Sequence, residues 1–304
     1  MQKEIIKKLH ELDYQTRIVP ISRLDDLKAG INDIVRQGVL DEDLYREHVE
    51  RFVNWSPDDL AEARSLIIVT LFSPQVRFIF HWNGKQYPLI APPTYIHWQE
   101  TDARLEQVFA DLFEEEGFWI KKAVVPQKAL AAKSGLAEYG RNNISYVKGM
   151  GSFHRLKAYY SNMPHEHDFW GDAKVMDRCA KCMNCVKSCP TEAIEQDRFV
   201  VRAERCNTEW NEKPGHIPLP DGLDTSWHNC IVGCMHCQHA CPENQKLRSV
   251  YEDGGELSEE ETGILMKGLP EKDLPPALVK KLESLDLLWM YEYIPRNLNG
   301  ILKA

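Results

Sequence analysis

The stretch "CAKCMNCVKSCP", residues 179–190, is followed about forty residues later by "CIVGCMHCQHACP", residues 230–242. Both runs end in Cys-Pro, and all nine cysteines of the chain fall within residues 179–241. A disulfide scaffold is the ordinary alternative, but it is typical of small secreted domains rather than of a chain of 304 residues. The pattern therefore favours metal or cluster ligation.

The spacing of the first run, C-x2-C-x2-C-x3-C-P from Cys179, is that of bacterial ferredoxins, in which the fourth cysteine ligates the other cluster. The second run supplies C-x2-C-x3-C-P from Cys234, and Cys206 stands alone between the two runs. The same exchange predicts two [4Fe–4S] clusters. Cluster 1 is assigned to Cys179, Cys182, Cys185 and Cys241, and cluster 2 to Cys189, Cys206, Cys234 and Cys237.

Two alternatives stay open at this point. Eight thiolates could instead hold two structural zinc ions, although zinc sites favour paired CxxC motifs. Cys230 could replace Cys206 as a ligand of cluster 2. Its position four residues before Cys234 also suits a helical turn, on which it would be a buried thiol.

The composition narrows the class of protein. The formal net charge of −9 argues mildly against a nucleic-acid partner, because phosphate binding normally needs a basic face. The N-terminal sequence has no signal-peptide or twin-arginine pattern, and no stretch of eighteen apolar residues appears. The expectation is a cytoplasmic protein without a membrane partner.

The first 170 residues have the periodicities of a mixed domain. "SLIIVTLFS" from Ser65 predicts a buried strand, and "VRFIFHWNGKQYPLI" predicts a hairpin that turns at Asn83-Gly84. "TDARLEQVFADLFEEEGF" predicts a helix capped by Thr101 or Asp102 and ended by Gly117. A further strand, "WIKKAVVP", and a helix ending near residue 135 complete a pattern that indicates an α/β or α+β domain.

Together the motifs "ALAAKSGLAEYGRNN…GMGSFHRL", "RCAKCMNCVKSCPTEAI", "AERCNTEWNEKPGHIP" and "VGCMHCQHACPENQ" resemble the epoxyqueuosine reductase family. These are cobalamin-dependent double-[4Fe–4S] iron–sulfur proteins related to reductive dehalogenases. The resemblance covers roughly residues 60–250 and is most specific over 176–245, where Cys206 matches along with both cysteine runs.

The resemblance implies an α+β fold, a nitroreductase-like α/β cobalamin-binding domain followed by a bacterial ferredoxin-like double-cluster domain. The corresponding boundaries are 1–172, 173–250, and an acidic C-terminal segment 251–304 that packs back on the core. The corrinoid would be held base-off, without a protein ligand to cobalt. By motif position its contacts would be Gly140, Arg141, Asn142, Gly151 and Ser152, with Asn207 and Thr208.

The sequence departs from the family at the proposed proton donor. Epoxyqueuosine reductases carry an aspartate in an Asp-Tyr-His stretch, whereas this chain reads "TYIHWQETD" there. Tyr95, His97 and Asp102 are the available candidates, and the tyrosine that dehalogenases use in this role supports Tyr95. Ordinary alternatives are packed or surface aromatic groups for Tyr95 and His97, and a helix cap for Asp102.

The C-terminal segment departs as well. Residues 251–304 hold eleven acidic and six basic side chains, a net charge of −5. Epoxyqueuosine reductases have a basic region that helps to hold tRNA, so this segment predicts that tRNA is unlikely as a substrate. Its run "GELSEEETG" predicts a solvated loop or a helix start.

The leading hypothesis is a cytoplasmic oxidoreductase that passes electrons through two [4Fe–4S] clusters to a corrinoid cobalt, for reductive chemistry on a small organic substrate. A low-potential donor such as ferredoxin or flavodoxin would supply the electrons. The alternative is an electron-transfer protein that reductively activates a partner corrinoid protein. A flavin in the N-terminal domain is a third possibility.

Overall fold

The computed structural model of the chain describes residues 2–53, 60, 62–165 and 167–303. Its α-helices, labelled in chain order, are α1 Gln2–Glu11, α2 Arg23–Arg36, α3 Glu42–Leu44, α4 Glu50–Val53, α5 Trp98–Glu114, α6 Gln127–Lys133, α7 Asn184–Ser188, α8 Asn207–Asn211, α9 His236–His239, α10 Glu259–Met266, α11 Pro276–Ser284 and α12 Ile294–Lys303. Its strands are β1 Gln15–Pro20, β2 Ser65–Phe72, β3 Gln75–Trp82, β4 Lys85–Ala91, β5 Ile120–Lys122, β6 Glu138–Tyr139, β7 Ser145–Tyr146, β8 His154–Ser161 and β9 Tyr251–Leu257.

The chain divides into two compact units, each assembled from several segments. The first unit comprises Met1–Ser73, Gln99–Met183 and Gln196–Arg202. The second comprises Pro74–Trp98, Asn184–Glu195 and Ala203–Ala304. The three functional domains drawn at residues 172 and 250 stay a prediction.

The first unit is built on a four-stranded sheet in the order β1-β2-β8-β5, in which every neighbouring pair is antiparallel. Strand β2 is buried on both faces: Leu66 and Ile68 enter one apolar cluster, and Ile67 and Val69 enter the other. This double burial explains why the strand reads as a continuous apolar run rather than an alternating one. The buried strand predicted from Ser65 is confirmed.

Helix α5 covers one face of this sheet through Leu105, Phe109 and Phe113, all fully buried. The predicted caps are wrong, because the helix begins at Trp98 and therefore contains Thr101 and Asp102 within its first turns. Gly117 does end this region, with φ of 77°, as predicted for a glycine that reverses the chain after a helix.

The second unit holds a three-stranded sheet in the order β4-β3-β9. The hairpin between β3 and β4 turns at Asn83 and Gly84, whose φ angles of 51° and 69° match a type I′ turn. Strand β9 pairs in parallel with β3, with a register shift beside Phe78. Gly254 is required there, since a Cβ at that position would lie 2.5 Å from the Phe78 ring.

The acidic C-terminal segment supplies much of the core of the second unit. Buried side chains from α10 to α12, including Leu265, Leu282, Ile294 and Leu298, pack with those of β3. The predicted helix start within "GELSEEETG" is confirmed, because Ser258 and Glu261 form a capping box at the beginning of α10. The first residues of that run lie instead in β9.

Helices and strands are mixed throughout both units, so the α+β fold class is confirmed. None of the described helices is long and apolar enough to cross a lipid bilayer.

Candidate functional site

The two cysteine runs meet through the short helices α7 and α9 of the second unit. The Asn184 side-chain amide donates to the Ala240 carbonyl at 3.3 Å, and the Ser188 hydroxyl donates to the His236 carbonyl at 3.3 Å. These bonds tie the end of the first run to the middle of the second, as expected of a ferredoxin-like module.

Three of the four thiols assigned to cluster 2 lie close enough to interact electrostatically. Cys206 interacts with Cys189, and Cys234 interacts with both of them. Cys237 lies on the adjacent helix α9 of the same unit. All nine cysteines of the chain are free thiols, so these sulfur atoms are available as ligands.

Hydrogen-bond donors are directed at these sulfur atoms. The Cys206 thiol accepts bonds from the backbone amides of Thr208 and Glu209 and from the Thr208 hydroxyl, and the Cys234 thiol accepts them from the His236 amide and the Asn207 side chain. Burial nevertheless dominates, and it raises the pKa of Cys206 and raises that of Cys234 to about 12. Buried thiols beneath N–H donors need a bound cation to become thiolates, and an iron–sulfur cluster fits this set.

Cys230 has a different setting. It is fully buried, its thiol lies 3.5 Å from the Asn229 side-chain oxygen, and burial raises its pKa well above the ordinary value. Among the cysteines it interacts with Cys234. The helical turn predicted for it is wrong, since residues 230–235 are irregular and α9 begins only at His236.

The residues assigned to cluster 1 are divided between the units. Cys179 and Cys182 belong to the first unit, whereas Cys185 and Cys241 belong to the second. Their joint ligation of one cluster stays a prediction. Within the first unit, the Arg141 guanidinium donates to the Cys179 carbonyl at 2.6 Å and to the Gln196 carbonyl, so it fixes the segment that carries Cys179.

The structure places two of the predicted corrinoid contacts beside the thiols assigned to cluster 2. Asn207 is buried at the start of α8, where its amide nitrogen donates to the Trp227 carbonyl at 3.2 Å and its side chain bonds the Cys234 thiol. Thr208 bonds the Cys206 thiol. Their contact with a corrinoid stays a prediction.

The other predicted contacts lie in the loop from Gly140 to Ser152, which is fixed from within. Asn142 is buried and donates to the Tyr146 hydroxyl at 3.0 Å. Gly140 packs so tightly that a Cβ there would lie 2.4 Å from the Asn142 side-chain oxygen. Ser152 is also buried.

His154 anchors the end of this loop. Its Nδ1 lies 3.0 Å from the Gly151 carbonyl, and its Nε2 lies 3.1 Å from the Ser145 hydroxyl. Burial lowers the pKa of His154 to about 4, although the Gly151 carbonyl opposes this shift. The ring is therefore neutral at physiological pH, with Nδ1–H donating to Gly151 and Nε2 accepting from Ser145.

Among the proton-donor candidates, Tyr95 has the clearest partner. Its hydroxyl donates a hydrogen bond to the carboxylate of Glu212, which is in the same unit. Burial raises the pKa of Glu212 to about 7, and burial together with the Glu212 charge raises that of Tyr95 well above 10. Tyr95 also interacts electrostatically with Cys230 and with Cys206, so the Tyr95–Glu212 pair lies near a thiol assigned to cluster 2.

The backbone around Tyr95 is held in uncommon conformations. Thr94 and His97 have φ angles of 78° and 54°, and a β-branched residue such as Thr94 rarely occupies this region. Gly233 lets the Tyr95 hydroxyl approach, since a Cβ there would lie 3.1 Å from it. Asn211, the neighbour of Glu212, exchanges two hydrogen bonds with Gly233 at 2.5 and 2.7 Å.

The remaining two candidates differ from Tyr95. His97 is exposed, and its backbone amide donates to the Asp286 carboxylate at 2.5 Å. Asp102 is 5% exposed and pairs with Lys157, with Lys122 at 3.9 Å and Arg155 at 3.8 Å. Three cations around one buried carboxylate give it a structural role in the first unit. The assignment of the proton donor itself stays a prediction.

Glu212 and His154 are the residues that sequence reasoning missed as members of the site. Glu212 lies in "CNTEWNEKP", directly after α8, where a glutamate among polar residues indicates only a solvated surface. His154 comes directly after the stretch that contains Gly149 and Gly151. Its place directly after the glycine-rich loop was the signal that it could brace that loop.

Comparison with known proteins supports the double-cluster interpretation. Residues 178–244 match the family described as a 4Fe-4S double cluster binding domain. The epoxyqueuosine reductase of Cyclobacterium marinum is 30% identical over 196 residues, which cover 62% of this chain and 61% of that protein. The matched part spans between 33% and 61% of the length of such curated relatives.

Solved structures establish the fold. The epoxyqueuosine reductase from Streptococcus thermophilus superposes with a TM-score of 0.67 at 17% identity, covering 99% of this chain and 80% of that one. An epoxyqueuosine reductase with an epoxyqueuosine-modified tRNA stem loop superposes with a TM-score of 0.66 at 19% identity and the same coverage of both chains. The prediction that tRNA is unlikely receives no support from these relatives.

Proposed function

We propose that this chain, which matches a 4Fe-4S double cluster binding domain over residues 178–244 and is similar to epoxyqueuosine reductases, is an iron–sulfur and cobalamin-dependent reductase. A low-potential donor such as ferredoxin or flavodoxin supplies electrons, which the two clusters pass on. When bound, the corrinoid supplies the cobalt centre at which a carbon–oxygen or carbon–halogen bond is reduced. The nine free thiols suit a reducing compartment, and the same proposal places the protein in the cytoplasm.

The observation that carries this proposal is the group of thiols formed by Cys189, Cys206 and Cys234, with N–H donors directed at the last two. Hydrogen bonds to sulfur stabilise the thiolate and adjust the reduction potential of a cluster. We assign cluster 2 to these three cysteines and Cys237, and cluster 1 to the other four predicted ligands.

We assign the role of proton donor in this reduction to the Tyr95 hydroxyl. A phenol whose pKa is raised keeps its proton at physiological pH and releases it only to a strongly basic reacting atom. Glu212, with a pKa of about 7, holds a proton part of the time and can return it to Tyr95. The buried ion pairs of Asp102 make that carboxylate the weaker candidate.

The loop ending in Gly151 and Ser152 fits a large flat ring. Gly149 and Gly151, on either side of Met150, have φ angles of 84° and 54° and carry no side chains, and a Cβ at Gly149 would meet nothing within 4 Å. Neutral His154 fixes the loop before any ligand arrives. We therefore retain Gly140, Arg141, Asn142, Gly151 and Ser152 as the corrinoid contacts in the first unit, and Asn207 and Thr208 in the second.

The substrate has two candidates. The acidic residues 251–304 favour a small organic molecule as substrate, because their net charge of −5 disfavours binding of a polyanion. An epoxyqueuosine-bearing tRNA follows from the relatives, one of which was solved with such a stem loop. Activity of the whole protein on either belongs to the proposal, since only part of each curated relative is matched.

A second function is an electron carrier that reductively activates a partner corrinoid protein. The specific observation in its favour is that Asp102 is held by Lys157 rather than placed as an acid. Such a carrier would keep both clusters but would have no need for bound cobalamin.

Anaerobic purification with iron, sulfide and cobalt analysis, followed by titration with hydroxocobalamin, separates these functions. The reductase predicts about eight irons per chain and an absorbance spectrum of base-off cobalamin. Eight irons without cobalamin binding would overturn the reductase and support the carrier. Reduction assays with an epoxyqueuosine-modified stem loop and with a halogenated phenol then distinguish the two substrate classes.

A further inference from the structure

The first unit contains an open cleft of about 520 Å³ that the proposed chemistry does not use. It is formed by the end of α6, the β6–β7 hairpin and residues 169–174, with Arg17 of β1 at its edge. We refer to this site as the basic cleft. Its volume is in the range of small-molecule pockets.

Four cations line the basic cleft: Arg17, Lys133, Lys148 and Lys174. None of them forms an ion pair with an acidic side chain anywhere in the described part of the chain. Glu138 and Asp172 also line the cleft and bring the charge of the lining to a net +2, in a chain of net charge −9. A lining with a net positive charge, whose cations form no ion pairs within the described residues, favours an anionic ligand.

The wall formed by residues 169–174 is anchored in place. Arg23 donates from Nε to the Asp168 carboxylate at 3.1 Å, and its guanidinium lies 5.4 Å from the centre of the Trp170 ring. The Lys133 ammonium lies 5.7 Å from the same ring centre, and the Gly171 amide donates to the Lys133 carbonyl at 2.9 Å. The wall is therefore built before a ligand binds.

Phe169 stands out on this wall. It is 55% exposed, although its neighbour Trp170 is packed against two cations. An exposed aromatic ring at the edge of a cleft offers a stacking surface for a planar group.

The C-terminal end of α6 faces the cleft but does not repel an anion. Unsatisfied carbonyls at a helix end carry partial negative charge. Here the carbonyls of residues 130–133 already accept bonds from the backbone amides of residues 134–137 and 171. The electrostatic character of the cleft is thus set by its cationic side chains.

We propose that the basic cleft binds a phosphate ester that carries an aromatic ring, the chemistry of a nucleotide, as a ligand separate from the corrinoid. The phosphate lies among Arg17, Lys148 and Lys174, and the ring stacks on Phe169. This inference does not depend on the reductase proposal, because it concerns cations and an aromatic ring that the proposed reaction leaves unused.

The test is isothermal titration of the anaerobically purified, cluster-containing chain with AMP and with ribose 5-phosphate, which has the same phosphate but no base. AMP should bind several-fold more tightly than ribose 5-phosphate, and F169A should remove that difference. The double variant K148Q/K174Q should weaken AMP binding by about ten-fold, with weaker binding at higher salt.

The matched control is K3Q/K85Q, which removes the same charge from exposed lysines outside the cleft and should leave AMP binding within about two-fold. Equal binding of AMP and ribose 5-phosphate, or an equal loss in the control variant, would overturn the proposal. So would competition between AMP and hydroxocobalamin, which would assign the cleft to the cofactor. Failure of hydroxocobalamin to bind at all would affect only the reductase proposal.

Discussion

The hydroxyl of Tyr95 donates a hydrogen bond to the carboxylate of Glu212, across 117 residues of sequence. Tyr95 follows a strained turn after β4, and Glu212 follows α8, the helix that begins immediately after Cys206. A phenol and a carboxyl group thus share a proton close to the thiols of cluster 2. Under the proposed function, this arrangement would couple electron delivery from a cluster to proton delivery from the Tyr95–Glu212 pair.

Replacing Glu212 with glutamine should change the pH dependence of stability. Burial raises the pKa of Glu212 from 4.5 to about 7, so the folded state favours the protonated form. This contribution is fully present below pH 4.5 and is lost as the pH rises through 7. The free energy of unfolding of the unsubstituted chain should therefore fall, relative to that of Glu212→Gln, by about 1 kcal/mol or more between pH 5 and 7.5.

Urea unfolding at several pH values measures this difference. Glu261→Gln is the matched control, because Lys281 and Ser258 outweigh burial and keep the pKa of Glu261 below its ordinary 4.5. The contribution of Glu261 to the free energy of unfolding is therefore constant above pH 5. Parallel pH profiles for the unsubstituted chain and Glu212→Gln would show that Glu212 is ionised in the folded state.

Asp102→Asn should destabilise the first unit rather than remove a proton donor. The substitution leaves Lys157, whose side chain is 14% exposed, without its carboxylate, and breaking a buried pair costs about 3–5 kcal/mol. Glu106→Gln, which removes a more exposed partner 3.5 Å from Lys122, should cost less than about 1 kcal/mol. Thermal unfolding measures both variants. A fully stable Asp102→Asn chain that binds cobalamin but loses reductase activity would instead identify Asp102 as the acid.

The sequence predicts those features of the fold and site that depend on residues close together in the chain. Asn83-Gly84 specifies its hairpin because both residues tolerate the positive φ that a type I′ turn requires. The cysteine spacing predicts a double-cluster domain because three ligands of a cluster come from one tight loop.

Features that depend on distant partners were not predictable in this way. Strand β9 has the sequence "YEDGGEL", which contains few strand-forming residues, and its conformation follows from parallel pairing with β3. Gly254 in that strand is explained only by the Phe78 ring against it. Asp102 was predicted to cap a helix, but its buried ion pairs come from β5 and β8, which lie elsewhere in the sequence.

Ser145→Ala should loosen the loop that ends at Gly151. It removes the hydroxyl that donates to His154 Nε2 and leaves that buried nitrogen unsatisfied, at a cost of about 1–3 kcal/mol. Urea unfolding at pH 7 measures this loss, and hydroxocobalamin affinity should fall with it if the loop contacts the corrinoid. An unchanged free energy of unfolding would mean that another group satisfies His154.

The contribution of His154 to the free energy of unfolding depends on pH with the opposite sign to that of Glu212. Burial lowers the pKa of His154 from 6.5 to about 4, so its contribution to stability is present above pH 6.5 and is lost as the pH falls through 4. His154→Gln, which does not titrate, should lack this part of the acid destabilisation. Equal slopes between pH 6.5 and 4 for the two chains would contradict a neutral buried imidazole.

Substitution of Cys206 and of Cys230 distinguishes a cluster ligand from a buried thiol. Cys206 interacts with both Cys189 and Cys234 and receives backbone amides at its sulfur, whereas Cys230 interacts with Cys234 and lies against Asn229. Cys206→Ala should therefore reduce iron from about eight to about four per chain, because a [4Fe–4S] cluster is held by four thiolates. Cys230→Ala should keep all eight irons and lose only the packing of a small, fully buried side chain.

Anaerobic iron analysis with electron paramagnetic resonance of the reduced chain measures the iron content and the clusters of both variants. The reverse result, with iron lost from Cys230→Ala and retained in Cys206→Ala, would make Cys230 the fourth ligand and Cys206 a thiol that lies near Tyr95 without binding iron.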